Sequence, residues 1–291
     1  DLELEMVNGV GGEGMAGAAR PERGRPVYDP PGGAVLYDDA ADRLWLELGP
    51  RLRAVCEPGR GRARLACAGN PENIEGNQGN DLWLLSHPLV TLPLVELLKR
   101  RGLFSLHAAG LGRDGRGLVL AGTSGAGKST LTLALARAGF GFLGDDTLFL
   151  ARRPEGLRLL AFPDEVDLTD ETLSFFPDLA PWLAAPRSGW RKRQLRAEEA
   201  CGAEVVWECA PSHLVFPRVA GRQESALIPV GADEALLELV PNVLLTEPAS
   251  SQAHLDALAD LAAASSCWRL ETGRDLDGAV RLLAALFAAQ G

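Results

Sequence analysis

Leu118-Val119-Leu120-Ala121-Gly122-Thr123-Ser124-Gly125-Ala126-Gly127-Lys128-Ser129-Thr130 is the stretch on which the reading of this chain turns. An apolar run of strand character enters a G-x-x-x-x-G-K-[ST] loop, and a helical run, Ser129–Ala138, leaves it and stops at Gly139. Glycines at these positions let backbone N–H groups turn inward around a β-phosphate without side-chain collisions. Lys128 can reach the β and γ oxygens, Ser129 can ligate Mg²⁺, and the helix start adds a favourable dipole. Gly122, Thr123, Ser124, Gly125, Ala126, Gly127, Lys128, Ser129 and Thr130 are therefore the expected nucleotide-binding residues, for a nucleoside triphosphate with Mg²⁺.

Working outward, a strand over Phe140–Leu143 meets Gly144-Asp145-Asp146, and Leu148–Ala151 continues extended. On the other side, Leu103–Gly110 and Gly117–Ala121 flank an Asp114-Gly115 turn, which predicts a hairpin. Strand, glycine loop, helix and strand in succession call for an α/β layer with a parallel crossover. Asp145 and Asp146 then lie at the C-terminal end of a strand, where open α/β sheets place ligands. Phosphoryl transfer to a hydroxyl needs metal ligation and a carboxylate beside the acceptor, and two adjacent carboxylates can divide those jobs. Gly-Asp-Asp-Thr is also good turn chemistry, so the pair takes its meaning from the loop upstream.

The stretch Leu106-His107-Ala-Ala-Gly110, Gly122–Ser129 and Gly144-Asp145-Asp146 resembles the catalytic core of the HPr kinase/phosphorylase family. His107 stands 21 residues before Lys128, and Asp145 stands 17 after it, as in that family. The resemblance implies a P-loop core with a central sheet, and Mg²⁺-ATP-dependent transfer to serine. It also implies that His107 and Asp145 form the acid/base pair on the acceptor, with Asp146 and Ser129 at the metal. Phe104–Ala151 carries it well and the rest of the chain only loosely. Thr130 stands where the family's loop is usually followed by Glu, and the family's Glu-Val/Ile-Arg-Gly run is absent. Phe162–Glu171 lies where that run should begin, making Glu171 the better positional match for a metal-side glutamate and Glu165 the second. The chain thus resembles divergent relatives that phosphorylate serine on lasso-type and other ribosomally made precursor peptides. Homo-oligomers are compatible with that resemblance.

Arg187, Arg191, Lys192, Arg193 and Arg196 put five cations within ten residues of a chain whose formal net charge is −10. Such a cluster can hold nucleotide phosphates or an acidic peptide, or form a solvated loop. Lys192 is its most telling member, because only Lys99, Lys128 and Lys192 are lysines among 29 cationic residues. Arg218, after the strand-like Leu214–Phe216, is a further candidate for a phosphate or substrate. His87, His213 and His254 lack metal-ligand spacing, and Trp182, Trp190 and Trp207 are expected to serve packing.

At 291 residues and 46% hydrophobic content the chain can bury a proper core. Residues 1–33 read as a flexible arm, 34–102 as a β-rich region ending in a helix near Ser86–Arg101, and 103–291 as the P-loop kinase-like domain. The last part is helical, over roughly 233–240, 251–265 and 277–290. The acidic balance argues against a nucleic-acid partner or a polybasic membrane contact. No apolar run reaches membrane-spanning length, the start lacks signal-peptide features, and five scattered cysteines read as reduced thiols; the expected location is the cytoplasm. The reading is a kinase acting on a serine hydroxyl of a peptide or protein. A metabolite kinase and a non-catalytic nucleotide-binding regulator or ATPase are the alternatives.

Overall fold

The computed structural model describes residues 2–8, 20–30, 32–67, 85–185 and 192–288, with backbone alone for 85–87. The chain divides into two compact units. One holds the described residues up to Leu103 together with Leu244–His254; the other holds Phe104–Ala185, the described residues from Lys192 to Val243, and those from Leu255 onward.

In the first unit, six strands form one sheet: β1 (Glu3–Asn8), β2 (Arg25–Tyr28), β3 (Gly33–Asp38), β4 (Arg43–Leu48), β5 (Leu52–Glu57) and β6 (Arg62–Cys67), in the order β1-β6-β5-β4-β3-β2. Alternation sets the core face, as in β5, where Leu52, Ala54 and Cys56 are buried and Arg53, Val55 and Glu57 are not. The stretch expected to be a flexible arm supplies β1 and β2. β1 pairs in parallel with β6, and Arg62 and Arg64 reach Glu3 and Glu5. A π-helical turn over Leu85–Thr91, with Pro88 inside it, leads into α1 (Leu92–Lys99).

Of the helically spaced leucines Leu94, Leu97 and Leu98, only Leu97 is fully buried. Leu97 is buried in the sheet's core, but so are Glu96 and Lys99. Their burial is tolerated because they are paired and saturated. Lys99 Nζ donates to Glu96 Oε2 (2.8 Å), to the Leu244 carbonyl (2.9 Å) and to Thr246 Oγ1 (2.9 Å). Burial pulls the Lys99 ammonium below its ordinary range, against the upward pull of Glu96.

The second unit is built on nine strands. They are β7 (Leu103–Leu106), β8 (Ala108–Arg113), β9 (Arg116–Ala121), β10 (Gly141–Gly144), β11 (Leu148–Arg153), β12 (Gly156–Leu160), β15 (Glu208–Val219), β16 (Ala226–Pro229) and β17 (Ser266–Thr272). Their path is β10-β8-β9-β15-β12-β11-β7, with β17 joined to β15 and β16 to β17. A separate ribbon pairs β13 (Val166–Leu168) with β14 (Arg193–Leu195). Its helices are α2 (Lys128–Arg137), α3 (Asp170–Phe175), α4 (Ala197–Cys201), α5 (Ala232–Leu239), the part of α6 (Pro248–Ala264) from Leu255 onward, and α7 (Leu276–Ala288).

The expected hairpin is β8–β9, turning at Asp114 and Gly115, both at positive φ. β8 is antiparallel to both β9 and β10, so β9–α2–β10 is a parallel crossover that skips one strand. β9 lies parallel to β15, and its residues from Gly117 to Ala121 are all buried. Leu131 and Leu135 of α2 and Leu283 and Phe287 of α7 pack with Leu118, Leu120 and Val215 of the sheet. Leu133, Ala136 and Phe142 form a second cluster with Val166, Leu168 and Leu195 of the ribbon. The loop between β9 and α2 is thus fixed at both ends by buried elements.

All five cysteines are free, and four of them are buried. Trp182 and Trp207 do not serve packing as expected: they are half-exposed and mostly exposed, and Trp190 lies outside the described residues. Among the described residues, no helix is long and apolar enough to cross a membrane.

Candidate active site

Gly125 and Gly127 hold φ of 81° and 95°, a region where side chains other than glycine's are strained. A Cβ at either position would meet nothing, so backbone conformation alone makes glycine the fitting residue. Gly127 is the N-cap of α2, and the first-turn N–H groups of that helix start from the loop. Lys128 curls back, its Nζ donating to the carbonyls of Gly122 (2.7 Å) and Thr123 (3.3 Å). Burial lowers its pKa, against the opposing pull of Asp146 and Asp145.

Gly144 ends β10 where there is no room for a side chain: a Cβ would stand 2.6 Å from the Thr147 carbonyl oxygen and 2.8 Å from that of Phe162. The Phe162 N–H donates to the Leu143 carbonyl (3.0 Å), which folds the segment after β12 against the end of β10. Asp145 follows, 2% exposed, with Oδ2 accepting the Ser129 hydroxyl at 2.7 Å. Its Oδ1 is buried and has no hydrogen-bond partner among the described residues. Burial and the neighbouring Asp146 push the Asp145 carboxyl up to about 7, against hydrogen bonds from Ser129 and Thr132 and the charge of Lys128.

His107 occupies the break between β7 and β8, where its N–H donates to the Asn242 carbonyl (2.9 Å). Its ring Nδ1 lies 2.9 Å from the Asp146 carbonyl oxygen and so must donate, which leaves Nε2 as the acceptor of the neutral ring. His107 is exposed, unlike Asp145.

A cavity of about 360 Å³ brings these elements together: His107, Ser124 to Leu131 and Asp146 line it, as do Asp167, Glu171 and Lys192. Asp145 does not line it. Asp164 stands close by, its carboxyl pushed up to about 7 by burial and by the charges of Asp146, Asp167 and Glu165. Lys192 Nζ is 3.6 Å from Asp167 Oδ2. A larger depression of about 460 Å³ includes Gly112, Arg113 and Glu204 and none of the expected site residues.

Not every expected residue joins the cavity. Arg193 instead braces the chain by donating to the Ala184 carbonyl (3.1 Å), and Arg218 is held by Glu238 (3.0 Å). Arg187 and Arg191 lie outside the described residues. Glu171 sits exposed in the first turn of α3 and lines the cavity. Gly122 and Thr123 contribute through the carbonyls that receive Lys128.

Sequence reasoning missed Asp164, Asp167 and Thr172. Thr130 Oγ1 meets Thr172 Oγ1 at 3.0 Å, and Thr169 caps α3 by accepting the Thr172 N–H (3.2 Å). Thr169 followed by Asp170 and Glu171 is a helix-start signal, but nothing local says that the helix docks on Thr130.

No family model matches the chain, and no curated protein matches it. Among solved structures, the HPr(Ser) kinase/phosphatase from Coxiella burnetii is similar at 16% identity with a TM-score of 0.35, over 64% of this chain and 88% of that one. So distant a likeness carries no weight for the chemistry.

Proposed function

We propose that this chain is a P-loop phosphotransferase that binds Mg²⁺-ATP on Gly122–Thr130 and transfers the γ-phosphoryl group to a hydroxyl. The supporting observation is the 2.7 Å bond from Ser129 at the start of α2 to the buried Asp145 at the end of β10. In P-loop enzymes a loop hydroxyl and a strand-end aspartate hold the magnesium. The donor set suits that ion: two hard oxygens, one of them beside the unpartnered Oδ1 of Asp145. Among the described residues no three His, Cys, Asp or Glu side chains gather as a self-sufficient metal site. A metal held by one carboxylate, one hydroxyl and substrate phosphates needs none. When bound, Mg²⁺ would neutralise charge on the β and γ oxygens.

In this reading the two aspartates exchange the roles that the family resemblance implies. Asp145 is the metal-side carboxylate in this reading, because it pairs with Ser129, the loop hydroxyl that would ligate the ion. Asp146 and His107 both line the cavity and serve the acceptor. The acceptor hydroxyl gives its proton to the Asp146 carboxylate as its oxygen bonds to the γ-phosphorus, and the β–γ bridging oxygen leaves with ADP. His107, by its Nδ1–H on the Asp146 carbonyl, holds the backbone of that aspartate beside the acceptor. Lys128 is released from the loop carbonyls to the β and γ oxygens when phosphate enters.

A serine in a peptide or protein, such as a ribosomally made precursor peptide, is the proposed acceptor. That part rests on the His107, Lys128 and Asp145 spacing alone. Incubation with γ-labelled ATP and candidate acceptors tests the reading: label should appear on peptide serine. Label on a metabolite would replace the acceptor class, and label only as free phosphate would refute transfer.

A further inference from the structure

The cavity has a side that phosphate chemistry does not use. Phe175 of α3, Leu276 and Ala279 of α7, and Val219 at the end of β15 all line it, opposite in character to Asp146, Asp167 and Lys192. Phe175 leaves 48% of its surface open, a large aromatic exposure beside a polar loop.

This ring is placed by more than its own short helix. Thr172 stands one turn before Phe175, on the same side of α3, and its hydroxyl meets Thr130 in the first turn of α2. Leu276 packs into both core clusters of the second unit, those of Leu131 and of Leu133. The turn ahead of α7 is pinned as well. Asp275 Oδ1 accepts the Ser225 N–H and hydroxyl (2.8 Å each), the Gly273 N–H donates to Ser225 Oγ (3.0 Å), and Thr272 Oγ1 donates to the Arg218 carbonyl (3.0 Å). The apolar wall is therefore built before any ligand arrives.

We propose that Phe175, Leu276 and Ala279 form the slot that takes the planar base of the bound nucleotide, with Phe175 as the ring it packs against. This rests on the phosphate-loop reading above. A triphosphate cradled by Gly122–Thr130 carries its nucleoside away from the transferring end, where His107 and Asp146 stand. An uncharged aromatic base gains nothing from the carboxylates and Lys192, and it gains area and dispersion against a preformed apolar wall.

Comparing Mg²⁺-ATP with Mg²⁺-tripolyphosphate, which has no base, tests the slot apart from the loop. Phe175→Ala should weaken ATP binding roughly 5- to 150-fold, the range of base–aromatic stacking, and leave tripolyphosphate within twofold. Phe175→Tyr should restore ATP binding, since the ring is kept. Unchanged ATP affinity in Phe175→Ala, or an equal loss for both ligands, would overturn the slot. Failure of the parent chain to bind either ligand would overturn the loop reading and the slot with it.

Discussion

Asp145 carries an electrostatic cost that stability measurements can read. Its carboxyl and that of Asp164 are pushed up to about 7 in the folded chain, whereas an unfolded aspartate titrates near ~4. Below about 4 both states hold the proton, and above about 7 both have lost it. Between those limits the folded state binds more protons, so metal-free stability should fall as pH rises through the window. Asp145→Asn removes its share: in metal-free urea melts from pH 5 to 8, the variant's decline should be shallower than the parent's, and parallel curves would count against the burial argument. Asp146 carries a different expectation. Asp146→Asn should leave the ATP Kd within a few-fold while transfer falls by about 10²–10⁴, the usual share of a positioned base. These residues were legible because Gly-Asp-Asp follows a loop whose code is local. Which of the two carboxylates meets Ser129 was not legible, because that depends on how the end of β10 packs against α2.

At the scale of elements, α2 is held at its first turn by a side-chain latch as well as by its buried leucines. Thr172→Val keeps the shape of the side chain but deletes the hydroxyl that meets Thr130. The expected loss in urea denaturation is about 0.5–1.5 kcal/mol, the net value of such a bond. A raised KM for ATP should accompany it, since α3 carries Phe175; no change in either quantity would show that the latch is idle. The hairpin β8–β9, helix α2 and the strand pattern around them were readable from Asp114-Gly115, the glycine loop and the apolar runs. The β13–β14 ribbon was not, because Val166–Leu168 and Arg193–Leu195 are too short and too far apart to announce a pair. Within the cation cluster, Arg193 lies on that ribbon and donates to the Ala184 carbonyl, whereas Lys192 lines the cavity.

Across the whole molecule, the three lysines all occupy structured positions: Lys99 in a buried ion pair, Lys128 in the loop, Lys192 at the cavity. Lys99→Met would leave the fully buried Glu96 with only the longer ion pair to Arg100 Nε (3.7 Å), and should cost about 3 kcal/mol in urea denaturation. A loss under 1 kcal/mol would mean that the pair is replaceable. Neither this pair nor strands β1 and β2 could be read from periodicity. Glu96 and Lys99 break the apolar pattern of α1, and β1 finds its partner in β6, more than fifty residues along the chain. Packing against distant segments decides both. The central claim is that Ser129 and Asp145 form the metal-side half of a nucleotide site whose other half is Asp146 and His107. Equilibrium binding of ATP across a Mg²⁺ titration tests it most directly, in the parent, Asp145→Asn and Asp146→Asn. Mg²⁺ should strengthen ATP binding in the parent and in Asp146→Asn, and that dependence should be lost in Asp145→Asn alone. Mg²⁺ dependence retained in Asp145→Asn but lost in Asp146→Asn would contradict it.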